Sequence, residues 1–178
     1  VHRLHPRLFL GANFIRRSAA EALDILAAPF SEGIPLDAIW ADNAGVDLAG
    51  GDHAYRALQA ARARTDWKGL HFGGIAFKYQ TPVLDADLPR LAELARVFVD
   101  VPTTSGPGTG QAAAIGKLIA IRAGLDDHPV ALASGVTVEN IASFRGLVDH
   151  ILVSTGINND VDQIDEAKLD ALLQGAAG

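Results

Sequence analysis

The chain contains no cysteine and no methionine among its 178 residues. Without cysteine there are no disulfides, thiolate metal sites or cysteine nucleophiles, which is compatible with a reducing cytoplasm. Without methionine even at position 1, the chain does not open at a translation start, so residues before Val1 are expected to be processed or missing. Long apolar runs are also absent. The densest stretch, Ala112 to Ala123, is interrupted by Gly116, Lys117 and Arg122 and falls short of the ~18 residues a spanning helix needs. The opening Val1-His2-Arg3-Leu4-His5-Pro6 has no apolar core of a secretory signal. A cytoplasmic protein with no membrane insertion is therefore expected. Positive charge is scarce: the net charge is -6 and the pI about 5.4, which argues against nucleic acid as a partner. A local cationic spot for one small anion is still compatible with this balance.

What is present is a rhythm. Short strands, apolar on nearly every residue, are expected at Leu8-Asn13, Ala38-Asp42, Gly69-Phe77, Phe98-Thr103, Val130-Ser134 and His150-Ser154. Strands with so little alternation are buried on both faces, the habit of parallel sheets. Between them lie helical stretches: a capping box at Ser18-Ala19-Ala20-Glu21, then His53-Arg64, Leu88-Arg96, Gln111-Ala123, an acidic start at Thr137-Val138-Glu139-Asn140, and Asp165-Leu173. Strict alternation of strand and helix predicts an α/β fold with a parallel sheet. The spacing is close to the ~31 residues per unit of an eight-unit (β/α) barrel. About six units fit in this length, so the expected architecture is a single TIM-type barrel domain over 1–178, N-terminally incomplete, with the first two units lying before Val1. Open strand edges at Leu8 and His150 would then invite homo-oligomerisation.

The expected chemistry sits at the strand ends. Ala133-Ser134-Gly135-Val136 and Val153-Ser154-Thr155-Gly156 each run from a buried strand into a small-residue turn. Glycine admits close approach of a backbone N–H to an anion, and the hydroxyls add donors. As the last two strands of a barrel, they occupy the usual phosphate position. Ser134, Gly135, Ser154, Thr155 and Gly156 are accordingly the candidate phosphate ligands, with a helix opening at Thr137 aimed at the same place. Taken singly, each turn also reads as ordinary punctuation. The loop Thr103-Thr104-Ser105-Gly106-Pro107-Gly108-Thr109-Gly110 reads as a substrate lid contributing Thr104 and Ser105, or as a plain glycine-rich connection. It fits neither the dinucleotide fingerprint nor a Walker loop.

Asp42 and Asn43, after Ile39-Trp40-Ala41, read as catalytic or hydroxyl-binding groups, or as turn residues. Asn13, after Leu10-Gly11-Ala12, takes the same two readings. Lys78 closes the run Phe72-Gly73-Gly74-Ile75-Ala76-Phe77 and is expected in the barrel mouth, where it would hold phosphate, balance an enolate-like charge or form an imine. The six histidines form no ligand-spaced pair, so no metal is expected, and no cofactor motif is present. His71 and His150 start strands, and both read as structural.

These motifs resemble those of the BtpA/SgcQ family, within the ribulose-phosphate-binding barrel group. The resemblance rests on Gly11-Ala12-Asn13-Phe14, Trp40-Ala41-Asp42-Asn43-Ala44-Gly45, Phe72 to Lys78, Thr103 to Gly110, Ala133 to Asn140 and Val153-Ser154-Thr155-Gly156. It implies a complete eight-stranded barrel and a role in photosystem I biogenesis. Two functions follow for testing. One is an enzyme acting on a small phosphorylated metabolite, a metal-independent isomerase or lyase. The other is a non-catalytic assembly factor that retains the phosphate pocket.

Overall fold

A computed structural model describes residue 5, residues 7–160 and residues 163–177. Its main sheet has six parallel strands in sequence order: β1 (Gly11–Phe14), β2 (Ala38–Ala41), β3 (Leu70–Gly74), β4 (Val101–Ser105), β5 (Ala131–Ala133) and β6 (His150–Leu152). Helices α1 (Ala19–Ser31), α2 (His53–Thr65), α3 (Leu88–Phe98) and α4 (Ile115–Leu125) connect the first five strands. A small antiparallel hairpin, β7 (Asn158–Asp160) with β8 (Gln163–Ile164), and α5 (Glu166–Ala177) follow β6. The architecture is that of a TIM-type (β/α) barrel lacking two of its units, with an open six-stranded parallel sheet, and all six expected strands are present.

Period-two alternation separates the two faces of the sheet. Ala38, Phe72, Val101 and Ala131 cluster with Trp40 and Leu152 on the inner face. The registers Trp40↔Phe72, Phe72↔Val101 and Thr103↔Ala131 keep them level. The outer face is covered in sectors. Ile39 and Ala41 pack on Ala22, Leu23, Leu58 and Ala61 of α1 and α2. Leu88, Leu91, Ala92 and Ala95 of α3 meet Ile121 and Leu125 of α4. Leu132 meets Leu118 and Leu172. The expected capping box forms: Ser18 Oγ accepts from Glu21 N–H at 3.2 Å, and Glu21 accepts from Ser18 N–H at 2.8 Å.

At the end of the sheet away from the loops, one device recurs on every second strand. Asp37, Asp100 and Asp149, each immediately before a strand, accept backbone N–H bonds from Leu10, His71 and Val130 at 2.7, 2.7 and 2.8 Å. Each aspartate thus ties a strand to its predecessor. Asp100 also pairs with Arg62, and Asp149 with Arg122 at 2.7 Å.

Two helix expectations change. No α-helix opens at Thr137; a 3-10 turn at Ile141–Phe144 is all that forms. The Asn140 side chain closes the preceding loop, accepting from Thr137 N–H and donating to Gly135 O, each at 2.8 Å. The Thr137 N–H is therefore spent locally. Helix α4 starts at Ile115 rather than Gln111, because Gln111 and Ala112 are laid against Gly106 and Gly135.

Candidate functional site

The C-terminal ends of β1 to β3 and the loops that follow enclose an open cleft of about 1050 Å³. Asp42, the first residue past β2, and Lys78, in the loop past β3, both line it, with Asn43 and Arg16 beside them. Asp42 is partly buried, and that burial pushes its carboxyl above the usual aspartate range, while the Lys78 ammonium acts in the opposite sense. A carboxyl moved in this direction is closer to exchanging a proton near neutrality. The Asn43 carbonyl accepts from Gly45 N–H at 2.8 Å, an Asx turn that fixes the loop.

Lys78 connects this cleft to the later strands. Its Nζ lies 3.2 Å from Thr109 Oγ1 and 3.4 Å from Ser134 Oγ. Its backbone N–H donates to Ser105 Oγ at 2.8 Å. One cation therefore touches the cleft, the glycine-rich loop and the turn past β5.

The phosphate candidates are arranged less simply than their composition implies. Ser134 and Gly135 both adopt left-handed backbone, at φ 73 and 71. The Ser134 hydroxyl already accepts from Gly110 N–H at 3.3 Å. A Cβ on Gly135 would lie 2.2 Å from the Gln111 carbonyl, so this glycine is required by the loop packed on it. Gly156 is likewise pressed against the Val136 carbonyl. Ser154 and Thr155 are exposed at the start of a 3-10 turn. None of these five lines the cleft over β1 to β3. Asn13 sits in β1 level with Trp40 and also lies outside the cleft lining.

Thr104 and Ser105 depart from their expected place on the loop. Both are fully buried within β4. Thr104 Oγ1 donates to Ala76 O at 3.4 Å and Ser105 Oγ to Gly106 O at 2.8 Å. They shape the loop that carries Lys78, and solvent does not reach them. The strand runs two residues past the expected end at Thr103, because Thr104 and Ser105 keep extended backbone while burying their hydroxyls.

Two residues of the site went unnoticed in the sequence. Gln80 bridges β2 and β3, donating to Asp42 O at 2.9 Å and Gly74 O at 3.1 Å while accepting from Phe77 N–H at 3.0 Å. Lys117 of α4 donates to Ala76 O at 2.6 Å and Ser105 O at 2.7 Å. Burial holds its ammonium below the usual lysine range, with Asp85 opposing. A lysine interrupting an apolar helix stretch was the available signal. Among the described residues, no group of three or more His, Asp or Glu side chains is placed to hold a metal ion, and no helix is long and apolar enough to cross a membrane.

No protein-family model matches the chain, and no curated protein matches it. Solved structures do. Phosphoribosyl anthranilate isomerase from Thermus thermophilus is similar at a TM-score of 0.68 and 17% identity, over 99% of this chain and 76% of that one. Orotidine 5'-monophosphate decarboxylase from Methanocaldococcus jannaschii is similar at 0.57 and 14%, over 99% and 77%. A mandelate racemase/muconate lactonizing enzyme from Roseiflexus sp. is similar at 0.57 and 16%, over 95% of this chain and 45% of that one. At such identities the likeness establishes the barrel architecture.

Proposed function

We propose that this chain belongs to an enzyme that acts on a small phosphorylated metabolite by proton transfer, in an isomerisation or a carbon–carbon cleavage. The observation that carries this reading is Lys78, whose ammonium lies beside the Asp42 cleft and within 3.4 Å of Ser134 at the end of β5. A substrate spanning that distance would place its anionic group over the turns of Ser134-Gly135 and Ser154-Thr155-Gly156, with its reacting carbon over Asp42. Asp42 would take and return the proton, and Lys78 would balance the negative charge that develops. Asn43 and Asn13 would orient hydroxyl groups. Thr104 and Ser105 support the Lys78 loop from below. Two of the similar barrels are named for phosphorylated compounds, which favours this substrate class as an analogy of fold. The BtpA/SgcQ resemblance lies along the same strand ends.

The test is a thermal-shift panel pairing phosphorylated metabolites with their dephosphorylated counterparts. A ligand at 100 times its Kd adds about 2.7 kcal/mol, a readily measured rise. Selective stabilisation by phosphorylated members, lost in Lys78→Ala, followed by turnover lost in Asp42→Asn, is the expected result. Turnover unchanged in both variants would remove the proposal.

The Ser134 hydroxyl and the space above Gly135 are already taken by Gly110 and Gln111, which bears equally on this reading and on its alternative, a non-catalytic assembly factor that retains the phosphate pocket. That reading requires ligand binding with no turnover and a stable protein partner. It shares with the first a tendency to self-associate through β1 and β6, the edge strands of the described sheet. Light scattering checks this, and a stable monomer argues against it.

A further inference from the structure

A second cavity, of about 440 Å³, opens between α1, α2 and the outer face of β2 and β3. Its walls include Leu58, Tyr55 and Phe98, the last two with ring centroids 5.3 Å apart. His71 of β3 also lines it. That side chain points toward the helices, because its Cε1 shares a side of the strand with Ala44 and Val99 around Gly73. It is 2% exposed, and neither Nδ1 nor Nε2 has a hydrogen-bond partner among the described residues. The nearby Asp100 carboxylate accepts from the His71 backbone N–H and from Arg62 through Oδ2, and makes no hydrogen bond to the ring.

A buried imidazole with two unmet polar atoms costs free energy unless something in the cavity meets them. Burial holds the group at about 4. At neutral pH it therefore presents one N–H and one lone pair, which suits a hydroxyl or a similar donor–acceptor group. Arg16 and Arg17 line the cavity together with Asp42. Arg17 is paired with Glu21 at 3.8 Å, whereas Arg16 has no ion-pair partner among the described residues and lines both this cavity and the main cleft.

We propose that this cavity is a second ligand site, for a small aromatic carboxylate bearing a ring hydroxyl. The ring packs on Tyr55 and Phe98, the hydroxyl meets His71, and the carboxylate pairs with Arg16. The site lies behind the main cleft, and the two share Arg16, Asp42, Asn43 and Gly45. It does not depend on the phosphate reading, which has its own probe.

The experiment follows the side-chain nitrogen signals of His71 by NMR in the full chain, with 4-hydroxybenzoate and benzoate as probes. Saturable shifts of the His71 ring are expected with 4-hydroxybenzoate, and about tenfold weaker binding with benzoate, which lacks the hydroxyl. Arg16→Ala should weaken binding, and Ala57→Phe, which fills the cavity from α2, should abolish it. The inorganic phosphate response should stay unchanged in Ala57→Phe. Should His71→Phe fold poorly, Ala57→Phe still decides the matter. Shifts confined to Lys78 and Asp42, an affinity unaffected by Ala57→Phe, or no saturable shift at all would overturn the proposal, the last meaning that solvent alone serves His71.

Discussion

Acid should destabilise this protein through His71 before it acts on most carboxylates. The ring is buried and its pKa is held at about 4 by that burial, with Asp100 raising it and Arg62 lowering it. His53, Tyr55, Arg16, Arg17 and Asp42 line the same cavity. In the unfolded chain the same imidazole titrates near 6.5. Above that pH neither state binds the proton, so the group contributes no pH dependence. Below it the unfolded state binds a proton that the folded state refuses, and stability falls as pH falls until the folded value is reached. Over about 2.5 pH units, at 1.36 kcal/mol each, the loss reaches about 3 kcal/mol, and about 2 kcal/mol of it arrives by about pH 5. Urea unfolding of the wild type and His71→Phe at about pH 7.5, 6 and 5 reads this directly. The difference between the two proteins isolates the imidazole from every other titrating group. The wild type should lose about 2 kcal/mol relative to the variant across that range. Parallel stability curves would refute the reasoning, and with it the claim that this ring is buried neutral.

Other consequences follow from the same contacts. Lys117→Met keeps the aliphatic stem but removes the ammonium donor from the Ser105 carbonyl and leaves Ala76 O with only the long Thr104 bond, costing about 2 kcal/mol by chemical denaturation; it should also weaken phosphate-dependent stabilisation, since those carbonyls flank the Lys78 loop. Gly135→Ala forces a Cβ to within 2.2 Å of Gln111 in left-handed backbone, and a loss of about 3 kcal/mol is expected in the same assay. Burial pushes the Asp149 carboxyl up, but hydrogen bonds from Arg122 and from Val130 N–H together bring it below the usual range. Its contribution is therefore present above the unfolded aspartate value and lost as pH falls through the folded one, so Asp149→Asn should flatten the acid limb below about pH 4 while leaving the His71 window intact. Asp42 has the opposite sign: its raised pKa means that ionising it opposes folding at neutral pH. Asp42→Asn should abolish turnover without lowering the melting temperature, and a clear drop in that temperature would contradict the burial argument.

The strands and their order were legible because burial on both faces leaves an unmistakable run such as Val130 to Ser134. Boundaries were less so. Val101-Pro102-Thr103-Thr104-Ser105 is one buried strand, yet its polar second half reads as loop, since composition cannot tell a hydroxyl pointed into a packed sheet from one pointed at solvent. The stretch from Thr137 to Asn140 carries the residues of a helix start, but Asn140 reaches back to Gly135 and spends them on a loop. The paired strand-end glycines suggest room for an anion by composition, whereas the position a Cβ would take at each is filled by neighbouring backbone. The signal of an apolar residue followed by aspartate ahead of a strand, at Leu36-Asp37, Val99-Asp100 and Val148-Asp149, was present in the sequence and recurs at every second strand. It could be recognised only once the strand pairing showed what each carboxylate accepts. Asp42 and Lys78 were placed in the barrel mouth by their position after strands, and side-chain distances were needed to bring Ser134 to them.

The two ends of the sheet differ in how they hold their backbone. Of the six non-glycine residues at positive φ among the described residues, Asp66 and Asp126 end α2 and α4. The other four, Arg16, Ala76, Tyr79 and Ser134, all follow strands at the mouth. Each such residue costs on the order of 1 kcal/mol, so the mouth carries strain that regular connections would avoid. The opposite end is tied by the three aspartates, whose bonds to the preceding strands, together with the Arg62 and Arg122 pairs, fix adjacent strands independently of the loops. Strain at one end is therefore supported by covalently distant but rigid pairing at the other. Mouth residues such as Arg16 and Ala76 can hold unfavourable backbone because the register beneath them is set elsewhere.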